Sequence, residues 1–128
     1  MKDTLKKVLI VEDERPLREA LRDILTNSGF SVLEAGEGEK GLALALTEHP
    51  DIILLDLMMP KMNGTEMLKR LRADIWGKDA AVIVLTNLSA DSGELVRNVV
   101  RGTPLFFLVK SDWNIHDVVD KVQEVLTR

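Results

Sequence analysis

The chain contains no cysteine and no tyrosine, and aromatic residues make up only 4% of its 128 positions. Without cysteine there is neither a disulfide framework nor a thiolate metal site, which suits an intracellular setting. Excess basic charge is missing too: the formal net charge is −4 and there is no basic tail. That argues against direct nucleic-acid binding, which relies on concentrated Lys and Arg to neutralise phosphates. No apolar run reaches the roughly 20 residues a membrane helix needs. The N-terminal Met1-Lys2-Asp3-Thr4-Leu5-Lys6-Lys7 has no long apolar signal region. No internal repeat, low-complexity segment or interdomain linker is visible. The expectation is a single cytoplasmic domain over residues 1–128, long enough to remove roughly two-thirds of its unfolded surface from water.

What is present is a regular alternation of short apolar runs and helical stripes. Val8 to Val11, Phe30 to Ala35, Ile52 to Asp56, Val82 to Thr86 and Leu105 to Val109 read as strands. The run Ile52-Ile53-Leu54-Leu55 fits a central parallel strand covered on both faces. Between the strands, Pro16 marks a first helical turn striped by Leu17, Leu21, Ile24 and Leu25 and stopped by Gly29. A second helix spans Glu39 to Glu48 and is ended by Pro50. Asn63 and Glu66 form a candidate capping box for a third, striped by Met67, Leu68, Leu71 and Ile75. Asp91 and Glu94 suggest a fourth, ended by Gly102. Ile115, Val118, Val119, Val122 and Leu126 stripe a fifth. This order predicts an α/β fold with a doubly wound five-stranded parallel sheet and five helices in three layers. Right-handed crossovers then bring every strand's carboxyl end to one edge.

That edge collects polar residues: Glu12 and Asp13 after the first strand, Asp56 after the third, Thr86 after the fourth, Lys110 after the fifth. Singly each has an ordinary reading, as a turn residue, a helix N-terminus acid or a solvated strand end. Together they make a site. Clustered carboxylates repel unless a cation relieves them, and a hard ion such as Mg²⁺ or Mn²⁺ takes oxygen ligands. Asp13 and Asp56 are the candidate direct ligands, with the Met58 carbonyl as a third and Glu12 acting through water. Lys110 and Thr86 supply a charge and a hydroxyl for phosphoryl oxygens. No Gly-x-x-x-x-Gly-Lys loop is present to cradle a nucleotide, so a phosphoryl group would arrive from elsewhere and attach to Asp56.

The motifs Val11-Glu12-Asp13-Glu14, Leu55-Asp56-Leu57-Met58-Met59-Pro60 with Gly64, Leu85-Thr86 and Leu108-Val109-Lys110 resemble the receiver domain of two-component response regulators, including single-domain chemotaxis receivers. The resemblance implies a flavodoxin-like sheet of order 2-1-3-4-5. It implies that Asp56 takes a phosphoryl group from a sensor histidine kinase or phosphotransfer protein, with Asp13, Asp56 and the Met58 carbonyl holding the metal. Thr86 and Phe107 look like the switch pair that reshapes the surface of the fourth helix, fifth strand and fifth helix for a downstream protein. Phe107 offers no hydroxyl for a polar readout. Ser111 stands where the family usually has proline, and Val100-Arg101-Gly102-Thr103-Pro104-Leu105 replaces its usual small-residue turn and acidic residue. Apolar Met58 and Leu88 border the family's path for hydrolytic water, where they would either slow dephosphorylation or simply pack.

The expectation is a stand-alone receiver that catalyses only its own phosphorylation and dephosphorylation, and is not an enzyme acting on a released substrate. Two rivals are a pseudo-receiver that binds without phosphorylation and an aspartyl-phosphate phosphohydrolase. The second would want an acid at Met58. Neither His49 nor His116 reads as a phosphocarrier.

Overall fold

Alternation at a period of two gives each central strand two apolar faces, and the sheet is built accordingly. The computed structural model of the protein describes residues 5–57, 62, 64–86, 105–109 and 114–127, with the backbone alone at 86, 105, 107 and 109. The strands are β1 (Lys7–Val11), β2 (Ser31–Ala35), β3 (Ile52–Asp56), β4 (Val82–Thr86) and β5 (Leu105–Val109). They form one sheet in the order β2-β1-β3-β4-β5, with every pairing parallel. All five residues of β3 are buried: Ile52 to Leu55 as an uninterrupted apolar run in a central strand requires, and the Asp56 carboxylate with them at the strand's carboxyl end.

The helices α1 (Arg15–Asn27), α2 (Gly38–Glu48) and α3 (Gly64–Arg72), with a C-terminal helix (Ile115–Leu126), cover both faces. Leu9, Val11, Ile53, Leu55, Val82 and Val84 pack against Ala45 of α2 and Met67, Leu68 and Leu71 of α3. On the other face Val8, Ile10, Ile52, Leu54, Ile83 and Leu85 meet Leu21 and Leu25 of α1 and Val118 and Val122 of the C-terminal helix. Fully burying one such Leu or Val side chain is worth roughly 1.5–3 kcal/mol. The helix expected between Asp91 and Gly102 lies outside the described residues, as does Asn63 of the candidate capping box.

Local chemistry sets the helix ends. Gly29 takes φ 97° after α1, its N–H donates to the Thr26 carbonyl, and the Phe30 N–H donates to that of Leu25. Those two bonds make a Schellman stop, available because glycine tolerates the left-handed region. At the end of α2 the same conformation falls on His49, with φ 47°, a less favourable residue for it. The His49 ring stacks on Trp76 at 4.4 Å between centroids. The C-terminal helix begins with a full capping box: the Asn114 side chain accepts from the His116 and Asp117 N–H groups, and the Asp117 carboxylate accepts from the Asn114 N–H.

The stripe read for the third helix needs a correction at Ile75, which is 94% exposed and lies beyond the helix. The Asp74 carboxylate accepts from the N–H groups of Trp76 and Gly77 at 2.9 and 3.0 Å, turning the chain into a short 3-10 helix at Gly77–Asp79. Arg72 secures that turn, donating to the Gly77 and Ala80 carbonyls at 2.9 and 2.6 Å. Burial pushes the Arg72 guanidinium below its ordinary pKa, against a raising influence from Asp79. In the C-terminal helix, Val125 joins the buried stripe and Leu126 is only partly covered.

Candidate functional site

Register places the acids. Val11 of β1 lies opposite Leu55 of β3, so Glu12, one residue on, stands level with Asp56 at the carboxyl edge. Glu12 is fully buried and Asp56 is 3% exposed, while Asp13 is half-buried. A ligand oxygen from each of Glu12, Asp13 and Asp56 lies within 4.8 Å of the others. Three ionised carboxylates that close repel by roughly 3.5 kcal/mol per pair at an effective dielectric of 20. An arrangement of hard oxygen donors under mutual repulsion fits a small divalent cation.

The turn carrying Glu12 and Asp13 is tied down on several sides. The Glu12 N–H donates to the Ala35 carbonyl at 3.0 Å. Its carboxylate accepts from the Glu14 N–H at 3.1 Å, and its carbonyl accepts from Arg18 Nη1 at 2.9 Å. Asp56 is held from the other side by Gly64, whose N–H donates to the Leu57 carbonyl at 3.0 Å. A Cβ on Gly64 would sit 2.5 Å from the Asp56 carbonyl oxygen and 2.6 Å from Leu57 Cα, so only glycine lets α3 start there. Gly41 of α2 plays a similar part beneath the site, since its Cβ would meet the two Val11 methyls at 2.7 and 2.8 Å.

The other expected site residues divide by how much of them is described. Thr86 ends β4 one residue past Leu85, which pairs with Asp56, and Phe107 pairs with Val84 in mid-β5; both are placed by backbone alone. Lys110, Met58, Leu88 and Ser111 lie outside the described residues. His116 is exposed in the first turn of the C-terminal helix, and His49 stacks on Trp76 as described. Sequence reasoning missed Arg18 as a partner of the acidic turn. The one signal available was its position three residues before Leu21, on the helix that follows the acids.

The response regulator receiver domain family matches residues 8–122. The chain belongs to that family. Over 124 residues the receiver is 36% identical to the transcriptional regulatory protein CpxR of Klebsiella pneumoniae, covering 97% of this chain and 50% of CpxR. It is 46% identical to the PhoP alkaline phosphatase synthesis regulator of Bacillus subtilis over 67 residues, 52% of this chain and 28% of PhoP. The receiver thus spans half or less of the length of these curated relatives. Among solved structures, the chemotaxis protein CheY4 of Vibrio cholerae superposes with a TM-score of 0.84 at 29% identity, covering 95% of this chain and 99% of CheY4. TrrA of Thermotoga maritima, in complex with Mg²⁺ and BeF, gives 0.79 at 29% identity, covering 94% and 99%. Receiver domains are signalling domains of two-component systems rather than classical enzymes, bind Mg²⁺ at an acidic site and interact with histidine kinases. Among the described residues, no helix is long and apolar enough to cross a membrane.

Proposed function

We propose that the chain is a single receiver unit, with five helices around its sheet, in which Asp56 accepts a phosphoryl group from a histidine of a sensor kinase or phosphotransfer protein. The observation that carries this is the convergence of Glu12, Asp13 and Asp56 at the tip of the central strands. A carboxylate oxygen of Asp56 forms the new bond to phosphorus as the phosphorus–nitrogen bond of the donor phosphohistidine breaks, and the electron pair leaves with the imidazole. Asp13, Asp56 and the Met58 carbonyl would hold Mg²⁺ or Mn²⁺, with Glu12 acting through water; the ion offsets charge on the phosphoryl oxygens. Lys110 orients one phosphoryl oxygen and Thr86 donates to another. The TrrA complex with Mg²⁺ and BeF supports this reading, because BeF is a tetrahedral stand-in for a phosphoryl group.

Switching follows from differential contact. A phosphoryl group on Asp56 favours the state in which Thr86 reaches it, and Phe107 repacks in response. Working as a stand-alone cytoplasmic receiver, the chain would then present β5 and its flanking helices to a downstream protein. Incubation with acetyl phosphate and Mg²⁺ tests the proposal by intact mass: one adduct of about 80 Da is expected for the native chain and none for Asp56→Ala. Absence of the adduct from both would leave the pseudo-receiver reading standing.

A further inference from the structure

We infer that Arg18, anchored by Glu34, is a positioning residue that sets the Glu12–Asp13 peptide and so aims the Asp13 carboxylate into the acid cluster. The inference rests on the metal-assisted reading above. Arg18 Nη1 donates to the Glu12 carbonyl at 2.9 Å, a charge-assisted bond to main chain. The peptide that begins with that carbonyl ends with the Asp13 N–H, and its planarity makes the two turn together. On the other side of its Cα, Glu12 is fixed by its N–H bond to Ala35. Rotation of the acidic turn is therefore blocked at both ends.

The guanidinium is itself held in place. Arg18 Nε lies 3.4 Å from Glu34 Oε1, and Glu34 Oε2 lies 3.4 Å from Arg22 Nη1. Arg18 and Glu34 side chains are only 19% and 28% exposed, so the pair is screened less than a surface ion pair. Glu34 sits on edge strand β2 one residue before Ala35, so the same strand end grips the turn through backbone and through Arg18. Gly36 leaves room, since a Cβ there would lie 3.1 Å from Arg18 Nη1. A planar fork can serve a carbonyl and a carboxylate at once, which an ammonium on a flexible stem does poorly.

Sign separates positioning from bare charge. Arg18 is a cation beside a cation site, so by charge alone its removal tightens divalent-ion binding; by positioning, removal loosens it. The test is titration with Mn²⁺, following the electron paramagnetic resonance of the free ion, alongside metal-free melting in EDTA. Arg18→Ala and Arg18→Lys are expected to weaken Mn²⁺ binding about tenfold, the low end for groups that orient metal ligands. Glu34→Gln shifts affinity the same way by less and keeps its metal-free melting within about 3 °C of the native chain. Native or tighter affinity in Arg18→Ala, or recovery of native affinity in Arg18→Lys, overturns the inference. Should Arg18→Ala lower metal-free melting further than that, Arg18→Lys and Glu34→Gln decide, and native affinity in either overturns it. Asp13→Asn tells the two levels apart: if it binds Mn²⁺ as well as the native chain, the acid cluster itself has been misread and positioning falls with it.

Discussion

Neutralising Asp13 should stabilise the protein without metal and remove its response to metal. Oxygens of Glu12, Asp13 and Asp56 lie within 4.8 Å of one another, and each fully charged pair at that distance costs roughly 3.5 kcal/mol at an effective dielectric of 20. Asp13 is half-buried, so solvent and salt screen its share. Discounted for this, Asp13→Asn relieves about 1–2 kcal/mol over its two repulsions. For a domain of this size that raises the melting temperature by roughly 4–7 °C in EDTA. The gain should shrink as salt is added. With Mg²⁺ at ten times its dissociation constant, the native chain gains about 1.4 kcal/mol and overtakes much of the difference, whereas the variant gains little. Thermal melts in EDTA and in Mg²⁺, each at low and high salt, read all four quantities. A variant that melts below the native chain in EDTA, or keeps the full Mg²⁺ response, would refute the reasoning.

Three further outcomes follow from the packing. Gly64→Ala drives a methyl into the Asp56 and Leu57 backbone; overpacking of about 2–3 kcal/mol, less up to about 1 kcal/mol of helix propensity, predicts a net loss seen by urea denaturation together with slower phosphorylation. Asn114→Ala removes the cap of the C-terminal helix and should cost about 1 kcal/mol, leaving phosphorylation by acetyl phosphate unchanged. Arg72→Met keeps the aliphatic stem but not the bonds to Gly77 and Ala80. A loss of roughly 1.5–3 kcal/mol is expected in chemical denaturation, and no loss would mean that the turn after α3 holds without them.

The sequence made the centre and one side of the sheet legible because β3, β4 and β5 carry nearly unbroken apolar runs whose lengths match the paired segments, whereas β2 is broken by Ser31 and Glu34. Ile52 to Asp56, Val82 to Thr86 and Leu105 to Val109 coincide with β3, β4 and β5. Periodicity failed at Ile75, where a helical stripe continues in the sequence after the backbone has turned. What ended α3 was an Asp74 side chain bonding to local N–H groups and an Arg72 reaching forward, neither of which alters a hydrophobic pattern. The Asn114–Asp117 box was readable by its spacing, an asparagine followed three residues later by an acid at the head of the valine stripe. The meeting of Glu12, Asp13 and Asp56 followed from topology once parallel crossovers were assumed. Arg18 did not, because its bond is to a main-chain carbonyl and the geometry of a turn is not written in residue types. Gly64 belongs to a motif in the sequence, but the close approach to Asp56 that demands it appears only in three dimensions.

The central claim is that Asp56 is the phosphoryl acceptor, and chemical trapping of the acyl phosphate tests it most directly. Borohydride reduces an aspartyl phosphate to homoserine, a residue about 14 Da lighter than aspartate, so peptide mass mapping after phosphorylation locates the modified side chain. The account predicts homoserine at position 56 alone, dependent on both donor and Mg²⁺. Homoserine at Asp13 or another carboxylate, or none anywhere, would contradict it.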